Sequence, residues 1–337
     1  MESGERDLEA YRITHRQRLE HCLMGDSPDK TPIALWRHFP VDDQTPDGLA
    51  SAVLDFQKLY DFDLVKVTPS SSFCIKDWGA EDDWKGNTEG TREYGHRIID
   101  SPDDWIKLQP LDPYKGALGD QLTCLKIVCD ELGSEVPVIQ TIFNPLAQAK
   151  NLVGGQKLLV HLRLYPDAIQ IGLKTIAEST RRFIEAACRI GISGIFYAVQ
   201  HASYQLLSID EYIKYGRGYD LELLEIVSEK WLNMVHLHGE NIMFKLFSDY
   251  PVHVINWHDR ETYPNLKEGQ SLFPGVVCGG LQRIQTMELG SPEHVYSEAR
   301  DAILTTNNKR FILGTGCVLS ITTPRANILT AIKSCMP

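Results

Sequence analysis

Short apolar runs rich in β-branched residues alternate along the chain with longer stretches in which apolar positions recur every three or four residues. The first pattern marks buried strands and the second amphipathic helices. Eight runs read as strands: Pro32 to Phe39, Leu64 to Pro69, Pro137 to Phe143, Ile192 to Gln200, Met234 to His238, Val252 to Trp257, Gly275 to Gly280 and Phe311 to Gly316. The clearest helix runs from Ala168 to Ile190, where Ile169, Leu173, Ile176, Ile184 and Ala187 share one face and Gly191 supplies the stop. Strands alternating with helices imply parallel βα units, and eight of them predict an α/β fold, a (β/α)8 TIM barrel. The interval from Phe73 to Pro113, rich in Trp, Asp and Gly, reads as an insertion between strands two and three, either a lid over one end of the barrel or a surface excursion.

No low-complexity linker divides the chain, so residues 1–337 are expected to form a single domain. The formal charge of −11 comes without a clustered Lys/Arg run, which argues against nucleic acid or an anionic membrane surface as partner. The first thirty residues are charged and periodic with no apolar centre. Neither a signal peptide nor a membrane anchor is therefore expected, and a cytoplasmic location follows. Cys22, Cys74, Cys124, Cys129, Cys188, Cys278, Cys317 and Cys335 form no CxxC pair and no dense framework, so they read as reduced thiols, mostly buried, with one or two available for chemistry.

In such a barrel, chemistry gathers at the C-terminal ends of the strands. Those ends carry Trp36, Arg37 and His38; Lys66 and Thr68; Gln140 and Asn144; Gln200 and His201; His236, His238 and Glu240; Asn256, Trp257, His258 and Asp259; and Cys317. Five of the eleven histidines fall in these windows. Residues two apart on a strand project to one side, so His236 and His238 can reach a single metal ion. With Cys317 they make a three-ligand zinc site with an open position. Glu240 is a fourth ligand or a base, or else a carboxylate favoured by a following helix dipole. His258 can shuttle a proton while Asp259 orients its ring, unless the two form a hydrogen-bonded turn. Arg37 and Lys66 suit a substrate carboxylate or phosphate, although Asp42 or Asp43 would also satisfy Arg37. Trp36, His38, Phe143, Tyr204 and Trp257 line a pocket or pack its rim, and Asn144 and His201 add hydrogen-bonding groups.

The order of motifs resembles the uroporphyrinogen decarboxylase superfamily, which includes zinc-dependent, corrinoid-linked methyltransferases. The resemblance runs from "DKTPIALWRHFP" through "VINWHD" and "VVCGGLQRIQTMELGSPEHV" to "GTGCVLSITTPRANILTAIKS", the last two being its most specific parts. It implies a barrel with a deep cleft at its C-terminal face and, as further family traits, a homodimer. Arg37 stands alone in "LWRHFPVDDQTP", too few cations for a tetrapyrrole with eight carboxylates, so the methyltransferase branch is the closer one. That branch carries His-x-Cys and a second Cys; this chain matches at His236 and Cys317 but has His238 where Cys is usual. One thiolate and two imidazoles leave a zinc centre with a charge of about +1 in place of neutrality. A bound thiolate would then be less nucleophilic and a bound water more acidic.

Three functions follow as expectations. The first is a zinc-dependent methyl- or alkyl-group transferase acting on a small-molecule acceptor, with a methylated corrinoid on a separate carrier protein as donor. The others are a metal-assisted hydrolase or lyase on the same site and a metal-free decarboxylase.

Overall fold

The computed structural model describes residues 13–337; the first twelve residues of the expected leaderless start lie outside them. Seven parallel strands form one curled sheet in the order β1 (Val65–Val67), β4 (Val138–Phe143), β5 (Gly194–Val199), β6 (Met234–Leu237), β7 (Val254–Trp257), β8 (Val276–Leu281) and β9 (Phe311–Thr315). Every residue of these strands is buried, as expected of a parallel sheet covered on both faces, and this is why they read as unbroken apolar runs. The connections are mostly helical, including Pro46–Tyr60, Gly116–Leu132, Pro166–Ile190, Leu266–Leu272 and Pro292–Thr305, with Arg325–Ser334 closing the chain. Between β6 and β7 a single short turn of helix, Phe244–Phe247, replaces the full helix that the alternation implies.

The first expected strand differs in kind from the other seven. Residues 32–37 are extended and bridge β9 and its continuation in parallel, Ile33 to Leu313 and Arg37 to Leu319. On the other edge the Asp63 N–H donates to the Ile33 carbonyl at 2.9 Å. The Ile33 N–H goes to the Asp63 carboxylate, also at 2.9 Å, so a side chain takes the place of a ladder carbonyl and no continuous strand forms. Asp63 is fully buried and also accepts from Arg18 Nη1 at 2.6 Å and faces His15 Nδ1 at 2.8 Å. One carboxylate thereby ties the first helix, His15–Met24, and the 32–37 segment to the start of β1.

The interval from 73 to 113 contains a small antiparallel pair, β2 (Glu81–Asp83) with β3 (Glu93–His96), and the helix Pro102–Lys107. Its loop is fastened to the C-terminal end of the sheet. Thr88 O accepts from Ile321 N–H at 2.7 Å, and Arg97 donates to the carbonyl of Asn151. No helix among the described residues is long and apolar enough to cross a membrane.

Replacing Asp63 by alanine leaves Ile33 N–H unpaired in the core and deprives Arg18 of one of its two carboxylates. Asp63→Ala is expected to destabilise the fold by about 3 kcal/mol, read as a lower midpoint in urea unfolding; a change below about 0.5 kcal/mol would show that Asp63 does not anchor this edge.

Candidate metal centre and substrate cavity

Register sets the site. Ala198, His236, Asn256 and Cys278 are successive partners across β5 to β8, so His236 and Asn256 stand side by side. The Asn256 amide donates from Nδ2 to the carbonyls of Cys278 at 2.9 Å and Thr315 at 3.0 Å. Its orientation is therefore fixed, with Oδ1 turned to His236 Nδ1 at 2.7 Å. An amide oxygen can only accept, so the His236 proton sits on Nδ1 and the Nε2 lone pair is free. That Nε2 is buried and has no hydrogen-bond partner.

Three more donors converge with it. His236, His238, His258 and Cys317 each present one ligand atom, and these atoms lie within 4.8 Å of one another. His258 is held through Nδ1 by Glu261 Oε2 at 3.2 Å, and its buried Nε2 likewise lacks a partner. Cys317 Sγ lies 3.8 Å from His238 Nδ1. Close approach is possible because Gly316 has no side chain: a Cβ there would fall 2.6 Å from the His258 Cα. Burial alone would raise the Cys317 pKa, but the His236, His238 and His258 rings outweigh it and hold the thiol well below its ordinary value. Two orphaned imidazole nitrogens, a third imidazole and a thiolate are the donor set that zinc prefers. The residues present therefore fit such an ion.

Beside the cluster lies a cavity of about 370 Å³ lined by His236, His238 and Cys317. Trp36, His38, Lys66, Thr68 and Phe143, all named from sequence, line it as well, as does Gln200. Burial pushes the Lys66 ammonium from 10.5 down to about 7; its Nζ sits 4.4 Å from the Phe196 ring centroid and donates to Thr68 Oγ1. Burial and then Lys66 push His38 down to about 4, so it is neutral near pH 7. Further cations and the phenol of the lining went unpredicted: Arg92 from the loop after β2, Tyr94 from β3, Arg97 just beyond β3, and Lys150 from the helix Pro145–Val153. Their approach depends on how the 73–113 interval and the helix Pro145–Val153 pack over the end of the sheet, which no periodicity reports. Lys150 Nζ contacts Gln200 Oε1 at 3.1 Å, and burial, with Arg97, lowers its pKa to about 8.

Other expected site residues lie elsewhere. Arg37, between two cavity residues on an extended segment, points the opposite way and stacks on Phe39 and Phe56; Asp43, its suggested partner, pairs with Arg92. Trp257 also faces away from the cavity and is fully buried, its Nε1 donating to Pro264 O at 2.7 Å. Asn144 caps the helix Pro145–Val153 and donates to the buried Asp220. Tyr204 is 56% exposed on the surface. Glu240 is exposed because the strand ends at Leu237 and Gly239 turns with φ +93°, so it joins neither the ligands nor a helix N-terminus. Asp259 does not orient His258; both of its oxygens accept from Gly280 N–H at 3.1 Å, and Glu261 holds the ring instead. His201 is buried with an unpartnered Nδ1, and burial, then Lys150, pushes its pKa to about 3.

The chain belongs to the uroporphyrinogen decarboxylase (URO-D) family, whose pattern it matches over residues 14–336. Among curated proteins it is 22% identical over 238 residues to the methylcobamide:CoM methyltransferase MtbA of Methanosarcina acetivorans, covering 70% of this chain and 68% of that one. The MtbA of Methanosarcina mazei is 24% identical over 232 residues, 68% of this chain and 66% of the relative, so these matches span about two thirds of each relative. A solved methyltransferase from Methanosarcina mazei superposes with a TM-score of 0.81 at 17% identity, covering 96% of this chain and 98% of the other. A B12-independent methionine synthase from Shewanella sp. W3-18-1 gives 0.57 at 14% identity, covering 91% and 93%. These structures share the fold, and the curated relatives are methyltransferases.

Two outcomes test the site. Asn256→Ala frees His236 to rotate and to change tautomer, and is expected to weaken zinc binding roughly 10- to 100-fold in a chelator competition; unchanged affinity would mean that Asn256 does not orient the ligand. For Lys66, the folded protein binds fewer protons than the unfolded chain between about pH 7 and pH 10.5, so its contribution to stability rises with pH across that window. Lys66→Met is therefore expected to raise Tm most at pH 7 and below, with the gain shrinking towards pH 10.5. A gain independent of pH would contradict the burial of an ammonium at this position.

Proposed function

We propose that the protein is a zinc-dependent methyl- or alkyl-group transferase, with His236, His238 and Cys317 holding the metal at one wall of the cavity. The observation that carries this reading is the convergence of orphaned imidazole nitrogens and a thiolate beside an open-mouthed cavity. The names of the curated relatives support the reaction class. Zinc bound there would lower the pKa of an acceptor thiol and keep it as a thiolate at neutral pH.

The chain's own groups account for the rest of substrate handling. Trp36, Phe143 and Phe196 give the cavity apolar walls. Lys66, Lys150 and Arg97 line it with no carboxylate within salt-bridge distance among the described residues, so a carboxylate, phosphate or sulfonate on the acceptor would find donors. The volume lies near the lower end of the roughly 300–1,000 Å³ typical of ligand sites, which suits a small acceptor. The 73–113 interval is read as an insertion that narrows the mouth of a (β/α)8 barrel, with residues 32–37 taking the eighth strand position. In this reading the donor is a methylated corrinoid on a separate carrier protein: its methyl carbon bonds to the acceptor sulfur and the electron pair of the broken bond stays with the corrinoid.

The test is direct. Purified protein should carry near-stoichiometric zinc and demethylate methylcobalamin, followed by its visible spectrum, when given a small anionic thiol; Cys317→Ser should lose both properties. Full zinc content without any methyl transfer to thiols would move the assignment to a metal-assisted hydrolase or lyase.

A further inference from the structure

Four donors meet where the sequence pattern supplied three, and they are not equivalent. His236 and Cys317 belong to any arrangement. The question is which of His238 and His258 is the permanent third ligand.

His258 has the features of a fixed donor. Its side chain is 5% exposed, its Nε2 is an unpartnered buried atom, and Glu261 holds the opposite nitrogen. A carboxylate accepting from Nδ1 fixes the tautomer and raises the basicity of Nε2, the usual second partner of a metal-bound imidazole. The support continues outward: Gln282 Nε2 donates to Glu261 Oε1 at 3.3 Å, and Arg283 Nε stands 3.9 Å from the same oxygen while its Nη1 pairs with Glu89. The His258 backbone is also pinned, its carbonyl accepting from Glu261 N–H at 2.8 Å and Thr262 N–H at 2.9 Å.

His238 has the opposite character. It lies one residue beyond the end of β6, is only partly buried, and is followed by Gly239 at φ +93° and Asn241 at φ +49°. Among the described residues its Nδ1 faces Cys317 and no group holds its other nitrogen. It lines the cavity, whereas His258 does not. An acceptor entering from the cavity therefore meets His238 first.

We infer that His258 is the third permanent ligand of the metal centre, positioned by Glu261, and that His238 is a replaceable fourth donor that gives way to the acceptor. Four protein donors fill the tetrahedral preference of zinc, so the resting site is closed and the acceptor takes the place of one side chain. The inference rests on the metal-centre reading above and deepens it, changing His238 from a fixed ligand of that reading to an exchangeable one. It also relocates the consequence of having histidine at 238: the residue caps the site and does not build it.

Zinc affinity, measured by competition with a chromophoric chelator on the full chain, separates the two roles. His258→Ala is expected to weaken binding by about 100-fold or more, at or beyond the roughly 10- to 100-fold cost of losing an outer partner, and Glu261→Gln by an amount within that range. His238→Ala is expected to stay within about tenfold of wild type. X-ray absorption on the unmutated zinc protein, which needs no variant to fold, should count three imidazoles and one sulfur at rest, and two imidazoles and two sulfurs once 2-mercaptoethanol is added. The assignment is overturned if His258→Ala binds zinc as wild type does, if His238→Ala loses as much affinity as His258→Ala, or if the resting protein shows two imidazoles. A protein that gives the expected counts yet transfers no methyl group would sink the transferase reading and leave this assignment standing.

Discussion

The site depends on one buried amide. Asn256 spends both N–H groups on the carbonyls of Cys278 and Thr315, in β8 and β9, and so can offer only its oxygen to His236. That single constraint ties four neighbouring strands at one level, chooses the tautomer of His236 and aims its lone pair into the cluster. In a fully buried setting each of these hydrogen bonds is costly to leave unmade, roughly 1–3 kcal/mol per orphaned group. The orientation of His236 and the alignment of β6 to β9 are thus enforced by the same interaction.

Charge is distributed around the site in a consistent way. The cluster favours a thiolate at Cys317, while Lys66, Lys150 and Arg97 bring positive charge to the cavity without carboxylate partners. Glu89, which also lines the cavity, is neutralised by Arg283, and Arg92 by Asp43. Residues from the 73–113 interval supply much of this lining. A segment outside the parallel sheet therefore contributes to the chemistry of the cavity alongside the strands.

Much of the site was legible in the chain, and part of what was misassigned was legible too. Seven of the eight expected strands appear where apolar runs predicted them, because strands buried on both faces leave no polar interruption to blur the pattern. Two-residue alternation, applied to His236 and His238, holds just as well elsewhere: Trp36 and His38 face the cavity and Arg37 turns away; Asn256 and His258 face in and Trp257 faces out. The same parity excludes Arg37 and Trp257 from the cavity side and groups His258 with His236, His238 and Cys317. Asp259 was misread for a different reason: sequence adjacency to His258 says nothing about which strand its carboxylate meets, and it meets Gly280.

The sequence by itself determined the strand and helix order, the family, and the presence of His236, His238 and Cys317 at strand ends, since each is encoded by local period or by motif. Only the tertiary structure decided which donors share a point in space and how each is held. His258 and Cys317 are separated by 58 intervening residues, and Gly316 lets them touch through a close approach of two loops. The Glu261 support, the cations of the 73–97 loop and the side-chain closure at Asp63 are likewise long-range pairings. Local pattern specifies which face a residue takes on its own element; which residue it meets there is set by packing.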